Sequence, residues 1–91
     1  MLTHVVFMKF PSQETAHAVC DRLLAMEGKI DSLKGIEAGV DVTRSGRSWD
    51  VALITRHDDQ VGLEAYAAHP VHQAVLEFIK QHITESAAVD F

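Results

Sequence analysis

One cysteine, two prolines and no surplus of positive charge mark this 91-residue chain, and each scarcity excludes something. Cys20, being alone, cannot close an intrachain disulfide and suits a reducing, cytoplasmic setting; its place in an apolar helical pattern makes it a core residue. Eight Lys and Arg face 13 Asp and Glu, a net charge of −5 with histidine neutral. No basic field is available to attract nucleic acid or anionic lipid, so neither is expected as a partner. No apolar run is long enough to span a bilayer, and the opening MLTHVVFMKF lacks the basic region and cleavage site of a secretion signal. Low-complexity segments and long linkers are also missing, and there is no room for a second core, so residues 1–91 read as one domain.

What remains is a globular composition, 47% hydrophobic and 23% charged, with legible periodicities. Residues 2–10, rich in β-branched and aromatic side chains, read as a strand stopped by Pro11. Leu2, His4, Val6, Met8 and Phe10 point one way, and Thr3, Val5, Phe7 and Lys9 the other. Both sets are largely apolar, so both faces of this strand are expected to be covered.

Ser12 is an N-cap candidate with Glu14 in the first turn, and three- and four-residue spacing from Ala16 to Ile30 predicts a helix over about 13–31. Residues 36–44 and 48–57 form a hairpin around SGR, with Gly39 a candidate bulge. A short helix is expected at about 59–68, capped by Asp58 or Asp59. Pro70 restarts a helix that runs to about 82, and residues 87–91 form a last strand.

The order is β-α-β-β-α-β, a ferredoxin-like α+β arrangement: a four-stranded antiparallel sheet with helices on one face. The bare face then requires a partner, and a homodimer joined sheet to sheet is the expected one.

The segment YAAHPVH (66–72) places Tyr66, His69 and His72 around Pro70. His-x-x-His can chelate a metal when both rings share a helical face. Pro70 pushes His69 out of the helical region, and no carboxylate or Cys cluster completes a shell, so no metal is expected. A second reading is acid–base chemistry. His72, in the first turn of a helix, is biased towards the neutral form and can act as a base; Tyr66 can polarise a carbonyl, with His4 on the adjacent strand facing the same layer. A third is ligand binding without turnover. In the fourth, structural reading, His69 caps the helix, Tyr66 fills the core and His72 is solvated.

These residues resemble the stress-responsive α/β-barrel (Dabb) family nearly end to end. The resemblance is carried by THVVFMKF, LKGIEAGVDV, SWDVALI, YAAHPVH and the terminal AVDF, most specifically by Tyr-x-x-His-Pro-x-His and the final Asp plus aromatic. It implies a dimeric α/β barrel with a cleft between helices and sheet in each protomer. A plant member of the family performs a cofactor-independent aldol cyclisation. Matched to its motif, Tyr66 and His72 take the catalytic positions, His4 that of a cleft histidine, and Leu23 and Met26 those of pocket residues; with His69 from the same segment, His4, Leu23 and Met26 are the expected substrate-binding residues. The pocket positions that are aromatic in that cyclase are aliphatic here, as Leu23 and Met26, so the resemblance does not by itself imply a polyketide substrate. Other members are stress-induced proteins without an assigned activity, which keeps a binding or assembly role open beside a lyase or cyclase. No cofactor is implied.

Trp49 is read first as a packing residue, with the sheet interface or cleft mouth as the alternative, and Asp90 is expected to pair with Lys9 or accept backbone N–H groups. Arg44, Arg47 and Arg56 are read as solvated surface charge. His17, His57 and His82 are expected to be exposed and without a role.

Overall fold

The alternating apolar residues of β1 (Leu2–Lys9) make it the spine of a sheet in the computed structural model, which describes residues 1–91. α1 (Gln13–Leu24) follows, with Ser12 as its N-cap accepting the Thr15 N–H. Then come β2 (Gly35–Val40), β3 (Val51–His57), α2 (Gln60–Ala68), α3 (Pro70–Lys80) and β4 (Glu85–Asp90). The sheet order is β2-β3-β1-β4, antiparallel throughout, the ferredoxin-like topology. The helices cover one face. On that side Val51, Leu53, Thr55 and His57 of β3 are buried, and they pack with Met8 of β1, Val19 and Leu23 of α1 and Tyr66 of α2.

Several boundaries differ from those read in the sequence. α1 ends at Leu24, not near residue 31, because Met26 and Glu27 bond back three residues to Leu23 and Leu24, and Gly28 takes a left-handed φ of 79°. Met26 and Ile30 are nonetheless buried. Their helix-like spacing records contact with the core from a turn, not continued helix. β2 stops at Val40, and Gly39 pairs in register with Ala52, so there is no bulge. The link to β3 is longer than a tight hairpin. It holds an inner turn in which Ser45 and Ser48 bond each other, and Arg44 adopts a φ of 55°. β4 begins two residues earlier than expected.

Asp50 anchors the chain just before β3. Its backbone N–H bonds the Met8 carbonyl, and its carboxylate accepts the Phe10 N–H at 2.7 Å and the Arg44 guanidinium at 2.7 Å. The Phe10 bond, reinforced by Arg44, holds the carboxyl below the usual aspartate value although burial opposes this. Arg44 is therefore tied down instead of lying free, and Arg56 is likewise paired, with Glu37 at 2.9 Å. We expect Asp50→Ala to cost about 1.5–3 kcal/mol at neutral pH, the usual worth of hydrogen bonds to a charged group. Because the folded pKa is depressed, that contribution is present above the unfolded value of 3.8 and is lost as pH falls through the folded one. Urea melts of both proteins should differ at pH 7 and converge in strong acid; a gap that persists in acid would show that packing is responsible instead.

The opposite face of the sheet is open and apolar. Val5 sits between Ile54 and Val89 in register, and Phe7 (39% exposed) and Val89 (60%) present bare hydrocarbon. At one end of this face Trp49 lies 6.4 Å from the Phe7 ring, with the Lys9 ammonium 4.8 Å above its own. No helix is long and apolar enough to cross a membrane.

Candidate functional site

The break between α2 and α3 builds the site. Pro70 disfavours the helical conformation at the residue before it, and His69 is extended (φ −65°, ψ 137°). That residue closes one helix and opens the next. Its N–H bonds the Tyr66 carbonyl, its ring Nδ1 accepts the Val71 N–H at 3.1 Å, and its carbonyl takes the Gln73 N–H at 2.9 Å. The kink folds the first turn of α3 back towards the last turn of α2. Tyr66 and His72 therefore meet with ring centroids 4.4 Å apart and planes at 43°.

On the far side of Tyr66 lies His57, its centroid at 4.9 Å. Far from being exposed, His57 is fully buried at the end of β3. Its Nδ1–H donates to the Ser32 carbonyl at 2.8 Å, and its Nε2 accepts the Thr55 hydroxyl at 2.9 Å. These bonds account for both ring nitrogens, so His57 acts as a fixed plate against which Tyr66 packs. His82 is half-buried against Phe78, and His17 is exposed.

Tyr66 and His72 belong to the wall of a cavity of about 240 Å³ between helices and sheet. β1 supplies His4, Val6 and Met8 to it, α1 supplies Leu23, and β3 supplies Leu53. Leu76 and Ile79 of α3, then Ile83 and Ser86, complete the lining. No lysine or arginine reaches it. Within these apolar walls the polar groups are few. Tyr66 is 1% exposed, and its hydroxyl is buried without a hydrogen-bond partner in the protein. Such a group ordinarily costs about 1–3 kcal/mol. Burial pushes its pKa up to about 12, so it stays a neutral phenol able to donate.

His72 donates Nδ1–H to the Ala67 carbonyl at 3.0 Å. Burial pushes its pKa down, the bond to Ala67 works against this, and the neighbouring His4 lowers it further. It is a neutral imidazole at pH 7, with its second nitrogen free to accept a proton. His4 donates Nδ1–H to the Asp90 carboxylate. Asp90 thus pairs with His4 and not with Lys9, whose ammonium lies 3.4 Å from Glu85. The alternation of β1 explains the difference: position 4 faces the helices opposite residue 90, whereas position 9 lies on the open side opposite residue 85.

Of the six residues proposed from sequence, Tyr66, His72, His4 and Leu23 share this cavity. Met26 does not reach it; it is buried in the core beyond the end of α1. His69 faces a separate hollow between Lys29, Asp31, Ser32 and Ala65. Sequence reading missed the walls contributed by Leu53, Leu76, Ile83 and Ser86, and it missed Asp90 as the partner of His4. A larger hollow, about 300 Å³, lies on the open face beside Phe7 and Trp49. Its carboxylates, Asp41 and Asp50, are both engaged by Arg44, so the cleft between helices and sheet is the better place for chemistry. Nowhere do three or more His, Cys, Asp or Glu side chains gather as a metal cluster.

Comparison with known proteins agrees with this architecture. No curated protein matches the sequence. Among solved structures, a dimeric ferredoxin-like protein of unknown function from Bacteroides fragilis is 26% identical, over 99% of this chain and 93% of that one, with a TM-score of 0.87. A dimeric ferredoxin-like protein of unknown function from Thermobifida fusca is 25% identical, over 99% and 88%, also at 0.87. A hydroxynitrile lyase from Passiflora edulis, 10% identical over 99% and 90% with a TM-score of 0.82, shows the shared fold alone. The profile of the stress responsive A/B barrel domain, Dabb, matches residues 2–91, and the chain belongs to that family.

Proposed function

We propose that the cleft binds a small, uncharged carbonyl compound and carries out cofactor-independent proton transfer beside the carbonyl, as in an aldol or cyclase-type reaction. The observation that carries this reading is the unpartnered hydroxyl of Tyr66, whose ring packs against the His72 imidazole in the wall of an apolar cleft. A carbonyl oxygen satisfies the phenol, and an acidic C–H next to that carbonyl meets the free nitrogen of His72. In the forward step His72 takes the proton and the electron pair moves into the enolate, whose oxygen is stabilised by the Tyr66 O–H. The carbanion attacks a second carbonyl, and protonated His72 returns its proton to the alkoxide formed. His4, held by Asp90, orients the substrate. The absence of lysine or arginine from the walls favours a neutral ligand over a carboxylate or phosphate.

Two copies are inferred to associate through the open sheet faces, in keeping with the dimeric relatives at 25% and 26% identity. The buried lone thiol of Cys20, its pKa raised by burial and by Asp21, fits an unreactive core residue in a reducing compartment. Lyase chemistry on the fold of a 10%-identical neighbour does not choose the activity here, because one fold hosts many. A purely structural or binding role is favoured by one observation, the packing of Tyr66 between His57 and His72.

Tyr66→Phe separates the two readings. Under the catalytic one, the variant melts at the same temperature or slightly higher, because an unsatisfied buried hydroxyl is removed. Its affinity for a neutral aryl ketone such as acetophenone, followed by NMR titration, should fall about tenfold, the worth of one hydrogen bond. A lower melting temperature with unchanged ketone binding would assign the hydroxyl to structure.

A further inference from the structure

The break at Pro70 also settles where the His72 proton resides. In an uninterrupted helix the Ala67 carbonyl would accept the N–H of Val71, four residues on. Here that N–H is held by the His69 ring, Pro70 has no N–H to offer, and the extended backbone at His69 carries the following turn away. The Ala67 carbonyl is left to side-chain donors, His72 Nδ1 at 3.0 Å and the Gln73 amide at 2.6 Å. A carbonyl accepts and never donates, so the His72 proton must sit on Nδ1. His69 is the mirror case. Its Nδ1 accepts a backbone N–H, which places its own proton on Nε2. Two histidines three residues apart are thus held in opposite tautomers, each by a single main-chain group.

We propose that His69 and Pro70 are positioning residues: by breaking the helix they release the Ala67 carbonyl to hold His72 as the Nδ1–H tautomer, which leaves Nε2 bare as the acceptor. The catalytic use of that lone pair rests on the acid–base reading above; the tautomer does not. The arrangement gives the YAAHPVH segment a division of labour. His69 shapes the backbone, Pro70 forbids its repair, and His72 receives the benefit. It also explains how His69 can face away from the cleft and still govern what happens inside it.

The test is a long-range ¹H–¹⁵N correlation spectrum of the imidazole rings of the unliganded protein, recorded above the ordinary histidine titration range. His72 should show a protonated-type Nδ1 and a lone-pair-type Nε2, with His69 showing the reverse. In the double variant His69→Ala/Pro70→Ala the helix can run on, and Val71 N–H reclaims the Ala67 carbonyl. The His72 shifts should then move to averaged or reversed values. His69→Asn, which keeps an N-cap acceptor, should preserve the wild-type His72 pattern. A wild-type His72 protonated on Nε2, a folded double variant with unchanged His72 shifts, or loss of the pattern in His69→Asn would each overturn the proposal. Should the double variant fail to fold, the wild-type and His69→Asn spectra decide. If the tautomers are as stated but His72→Ala retains turnover, the acid–base reading falls and this inference stands.

Discussion

His72→Ala is expected to lower turnover by about 10²–10⁴-fold, the usual contribution of a positioned general base, while leaving the fold intact. The ring is only half-buried and its one hydrogen bond goes to a carbonyl that Gln73 also satisfies. Loss of His72 therefore strands no buried polar group, and a melting curve close to wild type should accompany the loss of turnover. The pH profile adds a second check. The proposed mechanism uses the base form of His72, whose pKa is depressed by burial and by His4. The rate should thus fall only on the acid side, with a limb below the ordinary histidine value of 6.5. Tyr66, at about 12, remains protonated through any pH at which the protein is assayed, so no alkaline limb from the phenol is expected. An acid limb above 6.5 would point to a different base.

The next largest effect is expected from Val5→Glu. Val5 lies at the middle of the open face, flanked by Ile54 and Val89, where a second copy would bury it. An uncompensated carboxylate there costs about 3–5 kcal/mol of association, or about 10²–10⁴-fold in the dimer dissociation constant. In the isolated chain the same side chain reaches water, so the monomer should fold. Sedimentation equilibrium should show twice the 10.1 kDa chain mass for the wild type and the single mass for the variant at micromolar concentration. A variant that stays dimeric would move the interface off the sheet.

The parts of the molecule that were legible in advance are those governed by near neighbours. The alternation of β1 separated His4, Val6 and Met8 from Val5 and Phe7 correctly, because strand geometry imposes a period of two. Tyr66 and His72 could be matched because only Pro70 and one helical turn divide them. Misreadings arose where a distant group takes hold of a side chain. Residues 48–50 read as strand until the Asp50 carboxylate takes the N–H of Phe10, 40 residues away. Likewise His57, in a run of polar residues, reads as surface until Ser32 and Thr55 claim its two nitrogens. The His4–Asp90 pair joins positions 86 apart. The cavity draws its walls from β1, α1, β3, α2, α3 and the start of β4, and no periodicity of one segment records a lining of that kind. Met26 shows the opposite error: regular spacing continued past the point where the helix did.

Trp49 has a practical consequence. It is the chain's only tryptophan, and it stands at the end of the open face, against Phe7 and under the Lys9 ammonium. Its emission is therefore an intrinsic optical label for whatever covers that surface. Cover by a second copy shields the indole from water and shifts the light to the blue; dilution until the copies part moves it to the red. Ligands in the cleft on the other side of the sheet should leave the colour unchanged, so one cuvette can tell association from occupancy without any added dye.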